Sequence, residues 1–304
     1  MTGLTNFRID TKAAVTGAPN IMGSAAFRNL FALAGFQAAA LAGTGLWLTA
    51  ETVYQRYSKA ADPTANFEIR DHLRPDLHIL KRRSDKTNRP YPTIDSNGLP
   101  LLAFGGLGGD GVTRGYTDNG AVYDPAGGAL LTGGYSISNL IFVPSSSGTV
   151  YGVTMGGGYP IPGGPFLSNM ATHPAEAYGL VDPSTGFLSW LNQYSASNLA
   201  YSTDVRGSWH QVDMIGNPTS GATPELAAQT AILRLDGTTV QTVSSDTKDF
   251  DASAAARQLL IGALGGAFTG NGGIFFWKST LYLPNTKFAD ATVAAALRTY
   301  QLTL

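Results

Sequence analysis

The last third of the chain constrains the fold most, because its pieces come in one order. Ala231-Ile-Leu-Arg-Leu-Asp-Gly-Thr-Thr-Val240 reads as strand, two-residue turn and strand. Asp236-Gly237 supplies the positive φ that a type I′ hairpin turn needs. Leu259-Leu-Ile-Gly-Ala263, Phe268-Thr-Gly-Asn-Gly-Gly-Ile-Phe-Phe-Trp277 and Leu281-Tyr-Leu283 follow as further strand-like runs. Ala291-Thr-Val-Ala-Ala-Ala-Leu-Arg-Thr-Tyr300 closes the chain as a short helix. Consecutive hairpin-linked strands must bury one face against a second sheet or close on themselves.

Upstream, the same patterning continues. Leu46-Trp-Leu-Thr-Ala50 is a buried strand. Asn97-Gly98 marks a turn between extended segments, and Ser136-Ile-Ser-Asn-Leu-Ile-Phe-Val143 is a strand ended by Pro144. Val150-Tyr-Gly-Val-Thr-Met155 reads as another strand. Gly186-Phe-Leu-Ser-Trp-Leu191 and Trp209-His-Gln-Val-Asp-Met-Ile215 alternate apolar and polar residues, as half-buried strands do. Gly105 to Gly134 is glycine-rich and reads as a long loop or weak strands, and Gly156 to Pro165 as loop. The 304 residues include 37 glycines and are 43% hydrophobic, enough for a large core with many turns. Only 13% are charged, against about 25% in ordinary domains.

Net charge is −1, so no global field draws nucleic acid. The seven Lys and Arg between Arg70 and Arg89 are partly offset by Asp71, Asp76 and Asp85 and read as a solvated loop. There is no cysteine, so neither disulfides nor thiolate metal sites are available. The opening residues lack a basic segment followed by an apolar one, so no secretory signal is expected. The uncharged window between Arg28 and Glu51 is mostly alanine and glycine and is not expected to span a membrane. Residues 1–43 read as an arm, extended or partly helical over Ser24 to Leu41, either a flexible terminus or a docking arm that orders against a partner. Residues 44–304 form the main domain.

The order of pieces over 44–304 resembles the concanavalin A-like lectin/glucanase superfamily, the laminin-G-type jelly roll, in its bacteriophage virion version. The residues carrying the resemblance are Leu46-Trp-Leu-Thr-Ala50, Arg89-Pro90 with Asn97-Gly-Leu-Pro-Leu-Leu-Ala-Phe-Gly105, and Tyr135 to Val143. Gly207-Ser-Trp-His210, Leu233-Arg-Leu-Asp-Gly237 and the close from Ile261-Gly262 to Tyr282 complete it. Thr49 stands where that pattern carries aspartate. The resemblance implies an all-β jelly-roll β-sandwich, with Trp47 and Trp209 in its core. It further implies a structural protein of the virion, as head fibre, decoration protein or tail-fibre component. The arm would bind capsid or tail proteins, the sandwich would contact cell-surface polysaccharide, and the assembly would be a homotrimer.

The same residues form no familiar catalytic pattern. Glucanases of this superfamily carry a Glu-x-Asp-x-x-Glu strand, and Glu51, Glu68, Glu176 and Glu225 do not form one. His72, His78, His173 and His210 show no metal-ligand spacing, and His210 reads as a rim residue. Gly106-Leu-Gly-Gly-Asp-Gly111 satisfies a dinucleotide-binding pattern in letters alone, since no helix-forming run follows it. The expectation is therefore a binding protein, not an enzyme. Sugar binding needs flat aromatic faces with polar neighbours. Trp190, Tyr194, Tyr159 and Tyr178 are the candidate rings, and Asp118 and Asn119 the candidate polar partners. The loop of Tyr116, Asp118 and Asn119 also has the oxygen ligands a Ca²⁺ takes; no other cofactor is implied. Two alternatives stand: a purely structural capsid or tail component without glycan binding, and a polysaccharide depolymerase using acids such as Glu176 or Asp204.

Overall fold

The computed structural model describes residues 24–51, 68–73, 79–82, 90–107, 113–114, 121–123, 134–155, 162–170, 175–192, 199–218, 228–247, 258–262 and 273–304. Two large antiparallel sheets face each other. The first contains β1 (Leu46–Thr49), β4 (Tyr91–Ile94), β5 (Pro100–Phe104), β9 (Tyr135–Phe142), β16 (Trp209–Pro218), β17 (Ala228–Leu235), β18 (Thr238–Thr247) and β20 (Phe275–Leu283). Their order is β18-β17-β16-β9-β20-β5-β4, with β1 also paired to β20. The second contains β2 (Glu68–Arg70), β3 (Ile79–Arg82), β8 (Ala121–Tyr123), β12 (Gly164–Met170), β13 (Ala175–Val181), β14 (Phe187–Asn192), β15 (Leu199–Asp204) and β19 (Gln258–Ile261). Its order is β15-β14-β13-β12-β19-β8-β3-β2. A small third sheet, β10-β11-β6-β7, joins β6 (Gly106–Leu107), β7 (Thr113–Arg114), β10 (Gly148–Val150) and β11 (Val153–Met155). The chain passes repeatedly between the two large sheets, from β9 to β12, from β15 to β16 and from β18 to β20 by way of β19. This is an all-β sandwich of the jelly-roll kind.

The inner faces meet in one apolar core. Ile137, Ile141, Val212, Met214, Leu233, Phe275 and Trp277 come from the first sheet, and Phe166, Leu167, Leu188, Trp190 and Ile261 from the second. Rings bridge the layers: Tyr135 lies 6.4 Å from Trp190, and Phe166 lies 6.5 Å edge-on to Phe275. Gly179 lets Phe166 lie flat on the backbone, since a Cβ there would come within 2.4 Å of the ring.

The outer face of the first sheet is also covered. Helices α1 (Ala25–Leu33), α2 (Phe36–Ala42) and α3 (Ala291–Gln301) pack on it in a second core around Trp47. Ser24 caps α1 by accepting from the Phe27 N–H at 3.0 Å, and Asp290 caps α3 by accepting from the Thr292 N–H at 2.8 Å. Gly35, at φ 73°, breaks α1 from α2, and the pair bends by 70°. Among the described residues no single helix is long and apolar enough to cross a membrane. The described part of the expected arm is thus a helical pair whose Phe27, Leu30 and Phe36 pack beside Trp47.

Much of the strand reading holds. Asp236 and Gly237 both have positive φ, and Leu235 pairs with Thr238. The Asn97-Gly98 turn joins β4 to β5, and α3 closes the chain. Other readings change. The basic stretch read as a loop contains β3, which pairs with β2 at the start of the stretch and with β8. The glycine-rich stretch, read as a long loop or weak strands, contains the short strands β6, β7 and β8. Phe275 to Leu283 is one strand with a bulge between Trp277 and Ser279, where two were expected. Val150 to Met155 is a hairpin, turning at Tyr151-Gly152.

Asp213 lies fully buried between the sheet and the helical layer, where Gln211 Nε2 donates to both its oxygens at 2.9 Å. The Arg234 guanidinium is 3.8 Å away. Burial pushes the Asp213 carboxyl up to about 6, against the bonds from Ser138 and Gln211 and the charges of Arg234 and Arg298. A raised carboxyl favours the fold below the unfolded value and loses that contribution as pH rises through the folded value. Asp213→Asn mimics the protonated form. Its stability relative to the parent should therefore improve between pH 4 and pH 7, by up to about 3 kcal/mol in denaturant titrations.

Candidate functional site

Three adjacent strands put three aromatic residues in one row on the outer face. Trp209, at the start of β16, pairs with Phe142 at the end of β9, and Phe142 pairs with Phe276 of β20. Ring centroids are 5.7 Å apart for Phe142 and Trp209 and 6.0 Å for Phe142 and Phe276. Tyr151 completes the cluster from the β10–β11 hairpin, 5.2 Å edge-on to Phe276, 5.9 Å from Phe142 and 6.3 Å from Trp209. Phe276 is buried, while Phe142, Tyr151 and Trp209 are half-buried and reach solvent.

The hairpin turn holds Tyr151 at φ 50° and Gly152 at φ 72°. Gly152 takes this conformation freely, whereas a tyrosine there carries backbone strain of about 1 kcal/mol. What compensates is local: Trp209 Nε1 donates to Tyr151 Oη at 2.9 Å, and Thr93 Oγ1 donates to the Tyr151 carbonyl at 3.2 Å. Burial raises the Tyr151 phenol above its ordinary range; the Trp209 bond lowers it and the Asp95 charge raises it further. The phenol therefore keeps its proton at neutral pH. Since its oxygen accepts from the indole, its own O–H remains able to donate outward.

Lys278 lies behind this corner. It is the residue at the β20 bulge, and such bulges re-aim a side chain. Its ammonium sits 4.7 Å from the Trp209 ring, donates to Asp95 Oδ2 at 2.6 Å and donates to the Leu304 carbonyl. Both side chains are nearly sealed, with 6% of Lys278 and 3% of Asp95 exposed. Burial pulls the Lys278 ammonium down and Asp95 opposes that pull. Asp95 Oδ1 also accepts from the N–H groups of Asn97 and Leu99, so the Asn97-Gly98 turn places the carboxylate. A narrow recess beside Lys278 is lined by Thr49, Glu51, Leu99 and Pro100.

The rings named from sequence lie elsewhere. Trp190 is 3% exposed and belongs to the inter-sheet core, so it presents no face to a sugar; its alternation on β14 turns it inward. Tyr178 is on β13, paired with Ser168 and Leu191. Tyr159, Tyr194, Asp118 and Asn119, and with them the Ca²⁺ loop, lie outside the described residues. Among the described residues no cluster of three or more metal-ligating side chains occurs. Trp47 is core, as the resemblance implies, whereas Trp209 is only half-buried. The signal that marks the corner was present in Tyr151-Gly152: a tight-turn glycine after an aromatic residue, within a run that reads as one strand.

A second polar array ends the same strand. Ser208 Oγ lies 2.8 Å from His210 Nε2, and His210 Nδ1 lies 2.6 Å from Asp236 Oδ2. The order of groups is that of a serine-hydrolase relay. Here Asp236 is already at its turn position for backbone reasons. It divides its charge between His210, the Gln211 N–H at 3.0 Å and Arg298 of α3 at 2.8 Å. The array thus clamps β16, the β17–β18 hairpin and α3 together. Burial works against the Asp236 charge, but the bonds from His210 and Gln211 and the charge of Arg298 outweigh it and hold the carboxyl below its ordinary range.

No protein-family model matches the chain, and no curated protein matches it significantly. Among solved structures, the botulinum neurotoxin serotype D/C VPI 5993 binding domain aligns with a TM-score of 0.50 at 11% identity, over 85% of this chain and 52% of that one. The binding domain of botulinum neurotoxin DC in complex with SialylT aligns at 0.48 and 11% identity, over 85% and 52%. Trypanosoma rangeli sialidase in complex with the inhibitor DANA aligns at 0.46 and 10% identity, over 84% and 32%. The chain spans about half the length of the toxin domains. What it shares with the first of them is the fold, and the class defined is an all-β sandwich carrying an aromatic corner on its helix-covered sheet.

Asp236→Asn keeps the turn and removes the charge. It should cost about 1–2 kcal/mol in denaturant unfolding at neutral pH. Because the native carboxyl titrates low, that difference should shrink as pH falls through the folded value and the parent is itself protonated.

Proposed function

We propose that this chain is a non-enzymatic glycan-binding protein of a phage or phage-like virion, a head fibre, decoration or tail-fibre component. In this reading the sandwich faces outward and meets cell-surface polysaccharide. Residues 1–43 attach it to capsid or tail proteins, in a homotrimer. One observation carries the binding part: Tyr151 is held at a strained backbone angle so that its ring and hydroxyl stand beside Phe142 and Trp209 at the surface. Strain kept in place by surrounding contacts concentrates at sites of function, and half-exposed rings with a phenolic donor suit the apolar face and hydroxyls of a sugar. The fold supports the reading, since a neurotoxin binding domain shares it. The virion placement rests on the resemblance of the strand order. The attachment role has support in the α1–α2 pair, which leaves Leu33 and Leu41 at 40% and 69% exposure.

The test is a glycan array with bacterial surface polysaccharides, comparing the parent with Tyr151→Asn. Asparagine tolerates the left-handed turn better than tyrosine does, so the substitution removes the ring without breaking the hairpin. Binding should fall at least about tenfold while the circular dichroism spectrum stays unchanged. Binding that is indifferent to Tyr151→Asn would remove this corner as the site. A folded parent that binds no glycan would leave the purely structural role.

A further inference from the structure

The charge around the aromatic corner bears on which sugars fit it. Among the described residues, the cation seated on these rings is Lys278, and its charge is spent. Asp95 Oδ2 takes one N–H at 2.6 Å and the Leu304 carbonyl takes another. The ammonium is nearly sealed behind Trp209, so an incoming anion cannot reach it without opening the pair. Among the described residues the surface offers ring area from Phe142, Tyr151 and Trp209 and the O–H of Tyr151. A sugar carboxylate brought here would give up water with, among the described residues, no accessible cation to replace it, since Lys278 and Asp95 already offset each other. Hydroxyls and C–H faces meet no such penalty.

We infer that the corner selects uncharged pyranose units and discriminates against acidic ones such as sialic or uronic acids. This rests on the glycan-binding reading and narrows it. Asp95 sets the selectivity: its carboxylate masks Lys278, while its other oxygen holds the turn. Asp95→Asn keeps an oxygen for the turn and leaves the buried ammonium's charge without its counter-ion, so that it acts on a sugar carboxylate through the Trp209 ring.

The experiment titrates the full chain calorimetrically with neutral oligosaccharides (lactose, cellotriose, chitotriose) and with size-matched acidic ones (sialyllactose, trigalacturonate), in low and high salt. The neutral series should bind, the acidic series about tenfold or more weaker, and neutral binding should be indifferent to salt. In Asp95→Asn the ratio of acidic to neutral affinity should rise severalfold. Acidic sugars binding the parent as tightly as neutral ones would overturn the inference and leave the glycan reading standing, as would neutral binding that weakens steeply with salt. An Asp95→Asn protein that folds with an unchanged ratio would also overturn it. If that variant does not fold, the parent's salt dependence and acidic-to-neutral ratio decide alone. Binding of neither series, to the folded parent, would sink both the inference and the reading beneath it.

Discussion

Strand β20 is buried along its whole length, from Phe275 to Leu283. A strand sealed on both faces forces its sheet to be covered twice. Phe275 and Trp277 point into the inter-sheet core, whereas Phe276, Leu281 and Leu283 belong to apolar clusters on the other side. The second sheet supplies one cover and the helices the other. At the centre of the helical cover, Trp47 lies 4.5 Å from Phe27, 4.6 Å from Phe36 and 4.9 Å from Tyr300, and its indole N–H donates to Tyr300 Oη at 2.9 Å. The indole N–H is buried there at no polar cost because the Tyr300 oxygen accepts it. Asp71 fixes the strand beneath, accepting from the Trp47 N–H at 2.8 Å.

The helical cover does not reach one end of the sheet, and the aromatic corner occupies that end. The β20 bulge lies beside it. An extra residue between Trp277 and Ser279 displaces the strand and sends Lys278 sideways toward Asp95 and Trp209. The rings of Phe142 and Phe276 are then covered by Tyr151 from the small sheet instead of by a helix. The bulge thus connects the fold to the candidate site through Lys278, which it aims at Trp209.

The sequence carried the long strands and the turn chemistry well, because those signals are local. Alternation along Trp209 to Ile215 and the Asp-Gly and Asn-Gly pairs depend on a few neighbouring residues. The site was less legible. Trp190 resembles a surface ring in a strand-like run, and only the position of the opposite sheet shows that its side of β14 is the inner one. The assembly of Trp209, Phe142, Phe276 and Tyr151 draws on four separate strands and turns, so no window of sequence contains it. Tyr151-Gly152 looked like the middle of a strand because tyrosine is uncommon at positive φ, and the contacts that stabilise it there come from β16 and β20.

The left-handed setting of Tyr151 has a kinetic meaning. A side chain wedged against Phe276 and bonded to Trp209 has little rotational freedom left to lose. A ligand meeting such a surface need not wait for it to rearrange, nor offset the entropy of ordering it. Encounter should then be limited by diffusion and orientation, with residence time set by the ligand's own contacts. In the proposed role on a particle displaying several copies, fast grips of this kind would add up, and the combined hold would grow with the number engaged.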